Sequence, residues 1–295
     1  MFRRIARFFP LALLLAVGTA AAGMLPVYQP VPRLQDGPPR QSQPEGYGNS
    51  FLWQCLGDLT RGQFRLAEAA CSRAIDFDAK EASAYELRGY AYLLEHRFER
   101  AEKDFQAALR LRSNDDQIFA GYAQSLSGLG RFDEAVAQFD KAIALAPRNA
   151  AYLSARCWAR AGTGTGLDRA LADCNAALAL APGSAGPLNG RGLVELRLAR
   201  YEAAIADYTA SLAASRHQPS ALFGRGLAKL AIHQRGAGRA DIIEAREADS
   251  EVDSLFVTLG VLTAECEAGT LAKCPADFLP PTPAGKWLLA RWLMP

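Results

Sequence analysis

The sequence predicts an all-α solenoid of antiparallel helix pairs, and three observations carry that reading. A self-similarity with a period of 34 residues runs from Gly48 to Ser250, in six segments beginning at Gly48, Ala82, Asp116, Ala150, Ala185 and Pro219. Small and aromatic residues recur at fixed offsets within the segments, and one extra residue in the fourth is the only break in register. Pro147 and Pro182 fall just past two of the apolar-periodic stretches, where proline stops a helix without straining it. A period of this length marks a helix–turn–helix array, in which a pair buries its apolar face only by stacking on its neighbours.

The chain opens with a secretory pattern over residues 1–22. Arg3, Arg4 and Arg7 precede an apolar run from Phe8 to Thr19, broken by Pro10, and small residues follow at Ala20, Ala21, Ala22 and Gly23. The run is shorter than the roughly twenty apolar residues that span a bilayer. A signal cleaved after Ala22 is the primary expectation, and an uncleaved membrane anchor is the alternative. Residues 23–47 are rich in Pro, Gln and Gly and read as a flexible leader.

Six repeats are expected over residues 48–250. The second carries Tyr85, Gly89, Tyr92, Phe98, Ala101, Phe105 and Ala108; the third carries Phe119, Ala123, Leu126, Phe132, Ala135, Phe139 and Ala142. The fifth gives Leu188, Gly192, Tyr201, Ala204, Tyr208 and Ser211. Gly89, Ala123, Gly192 and Gly226 share one slot on the first helix, where a larger side chain would push the pair apart. Gly236, Ala237 and Gly238 are expected to weaken the start of the last second helix. Val252–Cys266 reads as a further, partnerless helix, so that 251–274 would cap the stack, and 275–295 forms a proline-rich apolar tail. This pattern resembles the tetratricopeptide repeat family over about two thirds of the chain. The resemblance implies a right-handed superhelix whose first helices line a concave ligand groove.

The six cysteines fall into near pairs, Cys55 with Cys71, Cys157 with Cys174, and Cys266 with Cys274. An even count in an exported chain favours disulfides. The first two pairs join the small slot of a first helix to the aromatic slot of its second helix, and these lie nearly opposite in an antiparallel pair. The third is expected as a disulfide too. The segment Arg156-Cys157-Trp158, with Ala172-Asp173-Cys174-Asn175 behind it, resembles a cysteine-bearing repeat of exported bacterial proteins. That resemblance implies a bacterial periplasm.

Charge and motifs then narrow the function. A formal net charge of +2 argues against a strongly electrostatic nucleic-acid binder. No C-x₂-C spacing of a zinc site and no G-x-S-x-G elbow occurs. Gly162-Thr163-Gly164-Thr165-Gly166 lacks the Lys-Ser/Thr of a phosphate loop and reads as a turn. His96, His217 and His233 stand in separate repeats. No enzyme activity, cofactor or metal is expected. Arg88, Arg156, Arg191 and Arg225 co-occur with Asp104, Asp173, Asp207 and Asp241 in the same four repeats, which favours cross-helix pairing over a ladder for acidic ligands.

By register, the expected groove residues are Glu86, Tyr90, Gln124, Trp158, Asn189, Leu193, Phe223 and Leu227. Their mixture of aromatic, aliphatic and amide groups suits a peptide or amphipathic helix. The expectation is an exported interaction scaffold with a protein or peptide partner. A cell-envelope assembly factor or chaperone that holds clients transiently is the alternative. The apolar run Lys286–Met294 must be buried somewhere, whether on its own array, in the groove, or against a partner or membrane surface. Peripheral membrane contact would run through the N-terminus or this tail.

Overall fold

The computed structural model describes residues 47–262. The signal segment, nearly all of the leader, the Cys266–Cys274 pair and the C-terminal tail lie outside the described residues. Within them the chain forms thirteen helices and no strand. Six antiparallel pairs follow one another: α1 (Tyr47–Thr60) with α2 (Phe64–Phe77), α3 (Ala82–Leu94) with α4 (Phe98–Leu111), and α5 (Asp116–Gly128) with α6 (Phe132–Leu145). Then come α7 (Ala150–Thr163) with α8 (Leu167–Leu180), α9 (Ala185–Arg197) with α10 (Tyr201–Ala214), and α11 (Pro219–Ala231) with α12 (Arg235–Ala248). A short α13 (Val252–Thr258) ends the described chain.

Local chemistry sets the helix starts. Asp115 accepts hydrogen bonds from the backbone N–H of Gln117 and Ile118, and Asn149 from those of Ala151 and Tyr152, so both cap first helices. The turns between paired helices pass through a left-handed residue, which is Gly130 in the third repeat (φ 72°). In the second repeat the same turn forces His96 to φ 57°. A β-carbon makes that conformation costly.

Packing follows from small residues facing large ones. The Phe105 ring lies against Gly89 of its own repeat, where an added β-carbon would sit 3.0 Å away, and a β-carbon on Gly121 of the next repeat would overlap that ring. Tyr208 is held in the same way between Gly192 and Gly224. Helix α12 nonetheless runs from Arg235 through Gly236 and Gly238, the residues expected to weaken its start. Gly238 faces Gly226, each with its carbonyl oxygen 2.8 Å from where the other's β-carbon would be, so the missing side chains let α11 and α12 meet backbone to backbone.

The stack is curved. Each first helix packs on the next first helix as well as on its own partner, whereas successive second helices do not pack on one another. First helices therefore lie on the inner, concave side and second helices on the outer. The helix expected over Val252–Cys266 stops at Thr258, because Gly260 takes the left-handed conformation (φ 65°) and ends it. Nor does it cap the end alone. Phe256 packs on Phe223 of α11 with ring centroids 4.7 Å apart, Thr258 reaches the Gly130 turn, and Arg197 donates to the Leu259 carbonyl.

Candidate functional site: the inner face of the solenoid

The eight residues singled out for the groove fall on two slots one helical turn apart. Glu86, Asn189 and Phe223 occupy the first, and Tyr90, Gln124, Trp158, Leu193 and Leu227 the second. All eight lie on first helices, and none is more than 8% exposed. These positions are thus buried, with neighbouring first helices packed against one another to differing extents. A β-carbon on Gly190 would stand 2.9 Å from the Trp158 indole, which shows how closely Trp158 packs on α9.

Polar groups bridge the inner face from helix to helix. Tyr90 donates to the Gln117 carbonyl at 2.8 Å, Tyr152 to the Asp116 carboxylate at 2.8 Å, and Asn189 Nδ2 to Ser220 Oγ at 3.0 Å. Arg112 donates to Ser83 at 2.7 Å, Asp115 at 3.0 Å and Glu86 at 3.3 Å. Burial, joined by the Asp115 charge, outweighs that shared contact and pushes the Glu86 carboxyl up to about 8. Besides Asp58 Oδ2 in α1, four buried atoms on first helices have no hydrogen-bond partner among the described residues: Glu86 Oε1, Ser127 Oγ, Trp158 Nε1 and Asn189 Oδ1. Buried polar atoms are paired in the great majority of cases, so four on one face need a reason.

Ser83, Gln117 and Ser220 belong to this face as well and were not among the expected residues. Their signal was present: each stands at the second position of its segment, three residues before the Glu86 slot or its equivalent.

The arginine ladder turns away from the inner face. Arg88 pairs with Asp104 through two hydrogen bonds of 2.7 and 2.9 Å, and Arg191 with Asp207 at 2.8 and 2.7 Å. Arg156–Asp173 and Arg225–Asp241 repeat this geometry. The remaining nitrogen of each reaches back to the preceding repeat, at Ser72, Asp140, Asn175 and Thr209 respectively for Arg88, Arg156, Arg191 and Arg225. In the third repeat, which lacks the arginine, the Tyr122 hydroxyl accepts from Gln106 at 2.9 Å and fills the same role. These side chains staple helix to helix and repeat to repeat.

The Cys55 and Cys71 sulfurs are at disulfide distance across the first pair, with Cα atoms 5.2 Å apart; Cys157 and Cys174 do the same across the fourth, at 5.5 Å. All four are fully buried. The described residues contain no helix long and apolar enough to cross a membrane.

A curved stack of antiparallel helix pairs defines a helical-repeat solenoid. Residues 57–116 and residues 92–157 each match the tetratricopeptide repeat family. Solved structures agree on the fold. A chain of the Cut9–Hcn1 hetero-tetramer of the APC/C aligns with a TM-score of 0.63 and 16% identity over 74% of this chain, and this chain spans 43% of that one's length. PilW, described as a widely conserved type IV pilus biogenesis factor, aligns at 0.59 with 19% identity, covering 72% of this chain and 98% of its own. A tetratricopeptide repeat protein from Parabacteroides merdae aligns at 0.56 with 14% identity, covering 75% and 88%. No curated protein matches the sequence. These findings support the tetratricopeptide repeat family, whose members are generally non-enzymatic scaffolds for protein–protein interaction.

Proposed function

We propose that this chain is an exported, non-enzymatic scaffold that holds a segment of a partner protein on its inner face. One observation carries the reading: the unpartnered polar atoms of Glu86, Ser127, Trp158 and Asn189 all lie on first helices, facing the concave side of the curve. Such atoms cost free energy until a ligand's backbone or side chains satisfy them. Glu86, Tyr90, Gln124, Trp158, Asn189, Leu193, Phe223 and Leu227 would form the floor of that site. Its polar half would take the hydrogen-bonding groups of a peptide, and its Leu193–Phe223–Leu227 half the apolar side chains.

The two buried sulfur pairs support export to an oxidising compartment, as does the Arg-led apolar N-terminus. A bacterial periplasm fits both. Mass spectrometry of the native protein should find Cys157 and Cys174 joined, and free thiols there would overturn the compartment. In-cell crosslinking of the tagged protein, beside Asn189→Leu, tests the partner site. A single dominant partner, lost in the variant, supports the dedicated scaffold. A broad set of envelope proteins would favour the transient holding factor, a reading suited by the small, undiscriminating hydroxyls at Ser83, Ser127, Ser154 and Ser220. No enrichment over an untagged control would refute both.

A further inference from the structure

The inner face is occupied by the chain itself. After α12 the chain enters α13, which packs on α11 and α12 and also reaches residues of more distant repeats. Phe256 sits on Phe223 in the sixth, the Leu259 carbonyl accepts from Arg197 at the end of α9 in the fifth, and Thr258 lies against the Gly130 turn in the third. Phe223 and Leu227 set α13 against inner slots of the sixth repeat, and its C-terminal end lies beside the α5–α6 turn and the end of α9. Even before α13, the Asp249 charge is felt at His96 in the second repeat.

The contact is apolar and specific. Val252, Leu255, Phe256, Leu259 and Leu262 are buried in one cluster with Phe132, Leu196, Leu227 and Leu230. Asp253 is gripped by Arg246 through two hydrogen bonds of 2.8 and 2.7 Å. Yet α13 has only seven residues, no side-chain N-cap and a glycine stop. A helix that short is unstable on its own and persists through its docking alone.

We propose that α13 is an internal stand-in for the partner, and that the inner face of the sixth repeat, flanked by the α5–α6 turn and the end of α9, docks a short amphipathic helix with the same apolar spacing. The ligand is a protein helix of about two turns. It carries an aromatic residue at the Phe256 position, aliphatic residues at the Val252, Leu255 and Leu259 positions, and an acidic group at the Asp253 position to meet Arg246. It binds by displacing α13. This rests on the reading of the inner face as the partner site and adds the partner's chemistry and the gate in front of it.

A labelled synthetic peptide of residues 250–262 is the probe, titrated into the full chain and into the full chain carrying Phe256→Ala. Removing the Phe256 ring empties the seat, so the variant binds the peptide at least about tenfold more tightly than the parent, whose site is filled in cis. Arg197→Ala, which loses the Leu259 carbonyl contact and leaves the apolar seat of α13 intact, gives a smaller gain in the same direction. Equal binding to all three chains, or no binding to a Phe256→Ala chain that keeps its helical circular dichroism, overturns the idea. So does a Phe256→Ala chain that unfolds while Arg197→Ala binds no better than the parent, because α13 is then a structural cap. The titration needs no natural partner. Success here with failed crosslinking would discard the dedicated scaffold and keep the gate, and the reverse result would do the opposite.

Discussion

The first and second helices of each repeat are nearly equal in length but live in different surroundings. In α3, ten of thirteen residues are buried, from Ala82 to Leu93; in its partner α4 only Ala101, Asp104, Phe105 and Ala108 are. The outer helices are amphipathic in the ordinary way, with one apolar stripe inward and charge facing water. The inner helices from α3 onward are more enclosed: by their own partner, by the first helices before and after, and near the C-terminus by α13. Enclosure explains why inner helices use glycine so freely. With no open side to move toward, two helices can approach only if one of them has no side chain.

That difference can be broken most severely at the point of closest approach. Gly224→Val would drive a side chain into the Tyr208 ring from the inner side, where nothing can yield. We expect a loss of about 3 kcal/mol or more in chemical denaturation, at the upper end of overpacking costs. A midpoint equal to that of the parent would refute the enclosure. Next in size is the covalent link between inner and outer helix. Cys157→Ala with Cys174→Ala should cost about 3 kcal/mol, as expected for a closed loop of this length. Parent and variant, both measured under reductant, which opens the Cys55–Cys71 pair in each, should then share one midpoint; unequal midpoints would show that packing, not the link, is lost.

A pH titration of stability sharpens the comparison further. Glu86 is held up at about 8 inside the fold against an ordinary value near 4.5. The native state therefore favours the protonated carboxyl, and the stability it contributes is complete below about pH 4.5. It is lost as pH rises toward 8, by at most about 1.4 kcal/mol per pH unit. Glu86→Gln should flatten that slope and melt higher than the parent at pH 8; an unchanged slope would place the titrating group elsewhere. The smallest effect belongs to a turn. His96→Gly relieves a left-handed conformation and should raise stability by about 0.5–1 kcal/mol. A lower midpoint would mean that the contact of His96 with Phe98, at 5.7 Å between centroids, matters more than the backbone.

Much of this was legible in the residues. The shared small slot at Gly89, Gly192 and Gly226 marked where paired helices cross, and the co-occurring arginines and aspartates marked their pairing. Both are contacts within one repeat, which recur at a fixed offset. Contacts between repeats were harder to see. Gly121 and Gly224 make room for an aromatic ring one repeat earlier, and only pairing each with Phe105 or Tyr208 reveals their purpose. Gly238 looked like a helix breaker because its partner, Gly226, lies across the α11–α12 contact. The eight residues expected in the groove lie on first helices, but their burial could not be read, since it depends on how neighbouring repeats stack.

By itself the sequence determined the repeat, the helix pairs, the slots that must stay small and the residues that staple one helix to the next. These rest on local propensity and on contacts at constant separation, so a period displays them. Only the tertiary structure decided how deeply the inner slots are buried, that α13 stops at Thr258 and that its end lies beside the third, fifth and sixth repeats. Those outcomes depend on how small rotations accumulate over six stacked pairs, and no single segment of the chain contains that sum.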